Sequence, residues 1–380
     1  MIISYGKQSI DDSDLKAVKN ALKSDFLTQG PLVQQFEKNL KKKLNSRYAT
    51  AVNNGSSALL TIGKILNWKK GDLIAVPPIT FLSSVNTIEH CGAKPLFIDI
   101  DLNDYCMDPN ILEKALKKDK KRKIKAAIIV DYGGQPAQWE KFFTLKKKYK
   151  IKLINDNCHA LGSSINQDQG YAVKYADLVS LSFHPVKAIT TGEGGAILTN
   201  NITYEKKAKI LRSHGIIKKK NIHWKYRMEE LGYNFRLPDI NCALGISQIK
   251  RLDKFIKRRI KISKIYDNFF SNNVKFQVPN RIFKSKNSFH LYPLLVNLKE
   301  IKKTKDKIIN EFLKKKIKIQ VHYIPVNLQP YYKKKYGFNK KKFKNSLDFF
   351  NNCISLPIYS DLSLKDINYI KSACKKIFKM

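Results

Sequence analysis

Short apolar runs recur through the first two-thirds of the chain, separated by stretches in which apolar positions return every three or four residues. The runs Tyr48–Val52, Leu73–Val76, Leu96–Asp99, Ala126–Val130, Ile151–Asn155, Leu178–Phe183 and Ala196–Thr199 show little polar alternation. That is the pattern of strands buried on both faces of a mostly parallel sheet. Pro109–Lys118 and Trp139–Lys150 between them have helical spacing. The alternation predicts an α/β domain of three layers around seven strands. Upstream, Asp11-Asp12-Ser13-Asp14 offers a cap and first-turn acids ahead of Leu15–Leu22. Downstream, Leu237–Phe269 reads as a long helical connection. From about residue 275 the pattern becomes α+β. It predicts a strand near His290–Val296, a helix near Lys305–Lys315, a strand near Lys318–Tyr323 and a terminal helix after Asp361. The expected division is a large domain over residues 1–250 and a smaller one over 251–380.

Composition narrows the class. Hydrophobic residues make up 43%, enough for a substantial core and too many for a disordered chain. No run approaches the ~18 apolar residues of a membrane helix. The opening Met1-Ile-Ile-Ser-Tyr-Gly lacks the basic and apolar regions of a signal peptide, so a cytoplasmic protein with no membrane partner is expected. Cys91, Cys106, Cys158, Cys242, Cys353 and Cys374 form no C-x-x-C pair and read as reduced thiols, with no metal site. Seventy-two Lys and Arg against 31 Asp and Glu give a net charge of +41. The basic runs, such as Lys41–Lys43, Lys146–Lys148, Lys218–Lys220 and Lys333–Lys335, are dispersed along the chain. A groove-reading protein gathers its charge on one arm or helix, so no nucleic-acid partner is expected. The positive field favours an anionic small molecule instead.

The densest chemical signal lies between Ile154 and Thr199. Asp156 closes one buried run, and Ser180-Leu-Ser-Phe-His-Pro-Val-Lys187 closes the next, ahead of the glycine-rich Thr191-Gly-Glu-Gly-Gly195. A lysine just past a strand end can approach a cofactor closely, and a desolvated amine is the nucleophile that Schiff-base chemistry requires. An acid on the neighbouring strand end, Asp156, suits the task of keeping a pyridine nitrogen protonated. Upstream, Val52-Asn-Asn-Gly-Ser-Ser-Ala58 passes from a strand into a helix, where Ser56 and Ser57 suit a phosphate. Ser182 could add a hydroxyl, and Phe81 is a candidate platform for the ring. Taken singly, each of these is as well explained by a cap, a core aromatic or, for His159, a structural histidine. Their order on successive strand ends is what points to one ligand site.

These residues resemble the DegT/DnrJ/EryC-type sugar aminotransferases, a family of fold type I pyridoxal-phosphate (PLP) enzymes. The likeness runs from Tyr5-Gly-Lys-Gln-Ser-Ile10 to Ser355-Leu-Pro-Ile-Tyr359. It is carried by Phe26-Leu-Thr-Gln-Gly-Pro31, Ser182-Phe-His-Pro-Val-Lys187, Arg212-Ser-His-Gly215, Tyr233-Asn-Phe-Arg-Leu237 and Gln320-Val-His-Tyr-Ile-Pro325. The resemblance implies that Lys187 is the Schiff-base lysine and proton shuttle, that Asp156 pairs with the pyridine nitrogen and that His159 contacts the ring hydroxyl. It implies phosphate contacts from Ser56, Ser57 and Ser182, stacking by Phe81, and Asn234 reaching the phosphate of a neighbouring subunit in a homodimer. Tyr5, Phe26, Leu27, Thr28, Gly55, His322 and Tyr323 match the sugar-nucleotide pocket, to which Ser182 and Asn234 also belong. The implied reaction gives a nucleotide-linked 4-keto-6-deoxy sugar an amine from L-glutamate, in the branch that serves pseudaminic acid synthesis. Related keto sugars are the alternative substrates. Two departures stand out: Asn155 where many members carry Glu, and Asn327 where some carry His.

Overall fold

The computed structural model describes residues 2–219, 222 and 224–380; Lys220, the last residue of one lysine run, lies outside the described residues. After the helices α1 (Asp12–Leu22) and α2 (Pro31–Lys43) come the strands β1 (Tyr48–Val52), β2 (Leu73–Val76), β3 (Lys94–Phe97), β4 (Ile124–Val130) and β5 (Lys152–Asp156). The short β6 (Ser164–Ile165), then β7 (Leu178–Ser182) and β8 (Gly195–Thr199) follow. The central sheet has seven strands in the order β1-β8-β7-β5-β4-β2-β3. Only β8 runs against its neighbours β1 and β7; the other pairings are parallel. The seven predicted runs are these seven strands, displaced at their ends by a residue or two.

Adjacent residues of a strand face opposite sides, and both sides are apolar here. In β4, Ala127 and Ile129 join the core that contains Phe36 and Leu40 of α2 and Trp139 and Phe142 of the helix Trp139–Tyr149. Ala126 and Ile128 join the opposite core, built on the helices α3 (Gly55–Ile65) and α4 (Leu82–His90) through Ile62 and Val85. The result is the expected three layers. α1 begins in a capping box, with the Asp11 side chain accepting from Ser13 and Asp14.

The predicted Leu237–Phe269 connection is two helices, Asp239–Lys250 and Leu252–Phe270. Arg251 between them turns its guanidinium to Asp11 and Asp14. The C-terminal part forms a third core around the antiparallel strands Phe276–Gln277, Tyr292–Val296 and Cys353–Leu356, with the helices Lys305–Lys314 and Leu364–Phe378 against them. Ile3 belongs to this third core and pairs with Ile317. The predicted strand at Lys318–Tyr323 is absent. Its pairing is limited to a bridge between Gln320 and Ser355, and its chain then turns so that the His322 carbonyl accepts from the Tyr132 hydroxyl. No helix among the described residues is long and apolar enough to cross a membrane.

Candidate active site

The C-terminal ends of β2, β4, β5 and β7 lie along one edge of the sheet, and β1 delivers α3 to the same edge. Crevices at such edges are where α/β proteins bind ligands. Asp156 is buried at the end of β5. It accepts from the Ser84 hydroxyl at 2.7 Å, and Ser84 lies 2.9 Å from the Thr80 hydroxyl. Lys187 stands past the end of β7, in a turn where its N–H donates to the His184 carbonyl at 2.9 Å. Burial pushes its amine below the ordinary lysine range, opposed by the neighbouring Cys158 and Asp156. The structure thus places the two residues expected to serve a cofactor near one another.

The N-terminus of α3 faces this pair. The Asn54 side chain caps the helix by accepting from the Ser57 N–H at 2.8 Å, leaving the earlier amides of the turn without helical partners. Ser56 is exposed, with its hydroxyl 2.5 Å from that of Ser83. Ser57 is buried. A Cβ on Gly55 would lie 3.0 Å from the Ser182 Cβ and 3.4 Å from the Cys158 sulfur, so the helix start lies directly against β7. Gly195 allows this approach: a Cβ there would sit 2.5 Å from the Asn54 carbonyl carbon and oxygen. A helix N-terminus with hydroxyls around it fits a phosphate dianion. Buried Asp156 fits a protonated pyridine nitrogen, and Lys187 near it fits an aldehyde carbon. The residues present therefore suit PLP.

His159 lies beside them, buried. Its Nδ1 accepts from the Gly133 N–H at 3.3 Å, and its Nε2 is 3.1 Å from the Tyr323 hydroxyl. Burial and the Lys187 charge push the imidazole well below its usual range. Phe81 is 56% exposed at the start of α4, its ring 6.0 Å from that of Tyr323. Tyr5 packs on His322 at 5.0 Å, and His322 is held by Ser355 at 2.9 Å with its pKa pushed down to about 3 by burial. Phe26, Leu27 and Thr28 form an exposed segment, tied to the rest by the Asp239 N–H bonded to the Leu27 carbonyl. Asn234 is exposed too, bridged to Ser213, while the neighbouring Phe235 carbonyl accepts from Asn53 N–H beside the α3 turn. These two segments are outside the contacts that join Lys187, Asp156 and His159. A cavity of 1030 Å³ lined by residues such as Lys38, Lys41, Lys209 and Arg236 does not include Lys187.

Sequence reasoning missed the residues behind the site. Asp131, buried at the end of β4, accepts at one oxygen from Ala137 N–H (2.9 Å) and Trp139 Nε1 (2.8 Å). At the other it accepts from Asn155 Nδ2 (3.0 Å), Asn157 Nδ2 (3.0 Å) and Tyr171 O–H (2.7 Å). This explains Asn155: a Glu there would set a second carboxylate against Asp131, whereas an amide donates to it. Among the described residues no cluster of side chains could hold a metal ion.

Comparison with known proteins agrees with this geometry. Residues 8–375 match the DegT/DnrJ/EryC1/StrS aminotransferase family. The UDP-4-amino-4,6-dideoxy-N-acetyl-beta-L-altrosamine transaminase of Campylobacter jejuni strain 81-176 is 38% identical over 378 residues, covering 100% of this chain and 98% of that protein. Helicobacter pylori PseC, an aminotransferase involved in the biosynthesis of pseudoaminic acid, superposes with a TM-score of 0.92 at 33% identity, over 100% of both chains. The PLP form of a sugar aminotransferase, Spr1654 from Streptococcus pneumoniae, gives 0.90 at 28% identity, covering 100% of this chain and 99% of that one. With a fold, a lysine and a strand-end crevice of this kind, and likeness along the whole length, the chain belongs to the DegT/DnrJ/EryC1/StrS aminotransferase family.

Proposed function

We propose that this chain is a PLP-dependent transaminase that makes a 4-amino sugar from UDP-2-acetamido-2,6-dideoxy-β-L-arabino-hexos-4-ulose, with L-glutamate as donor, for pseudaminic acid synthesis. The observation that carries the reading is the placement of Lys187, with its lowered pKa, near Asp156 and Cys158, with Cys158 in turn against the first residue of α3. The choice of sugar rests on the likeness to the Campylobacter jejuni altrosamine transaminase and to PseC.

Bound here, PLP supplies an electron sink that stabilises negative charge on the carbon of the reacting amine. The chain does the rest. Ser56, Ser57 and Ser182 would hold the phosphate at the α3 N-terminus, and Asp156, fixed by Ser84, would keep the ring nitrogen protonated. Phe81 covers one face of the ring. Lys187 acts as nucleophile and base because its amine is neutral more of the time than a solvated lysine's. With PLP bound, it would take the proton from the α-carbon of the donor and pass it to the carbon that the PLP aldehyde supplies, so that water releases 2-oxoglutarate while the nitrogen is kept; in the second half-reaction it would move a proton the other way, onto the sugar carbon that receives the amine. Tyr5, His322, Tyr323 and the Phe26–Thr28 segment line the sugar-nucleotide side, with Gly55 beside the phosphate. Asn234 is exposed, and by the family resemblance it would reach the phosphate of a second subunit in a homodimer with shared sites.

The test is a panel of nucleotide keto sugars offered with L-glutamate, with 2-oxoglutarate and amino sugar measured. The UDP-linked 4-keto sugar should be turned over fastest. Turnover of a dTDP-linked keto sugar in its place would keep the chemistry and replace the substrate; no 2-oxoglutarate from any sugar would overturn the reading.

A further inference from the structure

A second histidine lies beneath His159. The His290 ring is buried, 4.4 Å from the His159 ring between centroids. No hydrogen bond among the described residues reaches the His290 imidazole, and its Nδ1 is sealed without a partner. What that ring offers His159 is therefore packing alone, the two ring planes meeting at 43°.

His290 is carried on a strap, Asn287–Leu291, that enters the strand Tyr292–Val296 of the C-terminal sheet. The strap grips the turn that bonds His159. Leu291 N–H donates to the Gly133 carbonyl at 3.1 Å, and Ser288 N–H donates to the Gly134 carbonyl at 3.2 Å. Ser288 Oγ–H donates to the carbonyl of His159 itself at 3.1 Å. Gly134 has φ +100, and a Cβ there would lie 2.5 Å from Ser288 Oγ, so the turn accepts the strap only as glycine. On the far side, buried Arg259 donates to the carbonyls of Phe289 and His290 (3.3 Å each), Ile358 (2.8 Å) and Val186 (3.5 Å), the last being the residue before Lys187.

We propose that His290 is a positioning residue, pressed against His159 by this strap so that the Gly133 N–H meets Nδ1 and the Nε2–H is turned to Tyr323. The proton assignment follows from the donors: a neutral imidazole that accepts at Nδ1 carries its proton on Nε2. Nε2–H then donates to the Tyr323 oxygen, and the Tyr323 O–H is left to donate into the site. Burial keeps Tyr323 protonated. The groups facing His159 are Lys187, His290 and His322, with Asp156 and Tyr132 nearby, and Arg259 faces His290 from behind. The inference deepens the PLP reading and rests on it for its functional meaning, but the geometry is testable without cofactor.

The experiment is ring 15N NMR of the PLP-free full chain labelled at histidine, with the His159 signal identified by its loss in His159→Gln. In the wild type it should show the Nε2–H tautomer and stay untitrated from pH 8 to about pH 5.5, below the ordinary histidine value of ~6.5. His290→Ala, which admits water, should bring mixed tautomers and titration near ~6.5, and an acid limb in kcat/KM at the same pH. His290→Phe should restore the locked signal, since it keeps an aromatic ring packed on His159. An unchanged His159 signal in His290→Ala, or an Nδ1–H tautomer in the wild type, would overturn the proposal. If His290→Ala does not fold, Ser288→Ala carries the test: the tautomer should loosen there too, and an unchanged signal overturns it. A locked tautomer in a chain that never binds PLP would support this inference and sink the cofactor reading instead.

Discussion

Replacing Asp131 by Ala would leave two backbone and indole N–H groups, two amides and a phenol at the ends of β4 and β5 facing an empty space. Buried donors without partners cost about 1–3 kcal/mol each. Asp131→Ala should therefore lose at least about 3 kcal/mol in urea unfolding, with Asp131→Asn in between; a loss under about 1 kcal/mol would contradict the network. Lys187 works in the opposite sense. Its folded pKa lies below the unfolded value of ~10.4, so the unfolded chain binds the extra proton and PLP-free protein gains stability as pH rises through that window. Lys187→Met should then be more stable than wild type at pH 7 in the PLP-free state, with the gap closing toward pH 10; equal stabilities at both pH values would show that the lysine is not held against its charge. Lys187 and Asp156 were legible because their chemistry requires those residue types at strand ends. Asp131, Ser84 and His290 were not. Each acts through a partner distant in sequence, and a lone Asp, Ser or His carries no mark of which backbone group it will meet.

The strands were legible for a plain reason: a strand covered on both faces has to be apolar at every position. Their pairing order was not, because it is set by which helix crosses which face. The predicted strand at Lys318–Tyr323 failed on the same ground. Its alternation is that of a strand, but its backbone groups are divided between Ile3, Ser355 and Tyr132. The short strand Cys353–Leu356, which does pair, lies in a run too brief to distinguish from a buried turn. At this scale the approach of β8 to α3 leaves no room for a side chain. Gly195→Ala would drive a methyl into the Asn54 carbonyl and push the α3 turn away from Ser182. PLP affinity should fall by about tenfold or more, as one charge-assisted contact of ~1.4 kcal/mol or more is lost. Equilibrium dialysis measures it, and unchanged affinity would remove the α3 turn from the phosphate site.

For the molecule as a whole, the proposed function would give the net charge of +41 a use in attracting a dianionic cofactor and a nucleotide sugar. Subunit sharing of the site is a claim at this scale. Asn234→Ala and Lys187→Ala, each inactive or nearly so alone, should regain activity when their subunits are mixed, because a hybrid dimer holds one site with both residues intact. Activity no greater than the sum of the separate variants would place Asn234 outside the partner's site. The central claim is narrower still: that one lysine among the many on this chain holds the cofactor. PLP-loaded protein reduced with borohydride and mapped by peptide mass spectrometry tests it directly. The label should fall on Lys187 and on no other lysine at comparable yield, and Lys187→Ala should take up none. A label spread over surface lysines, with Lys187 unmodified, would contradict the account.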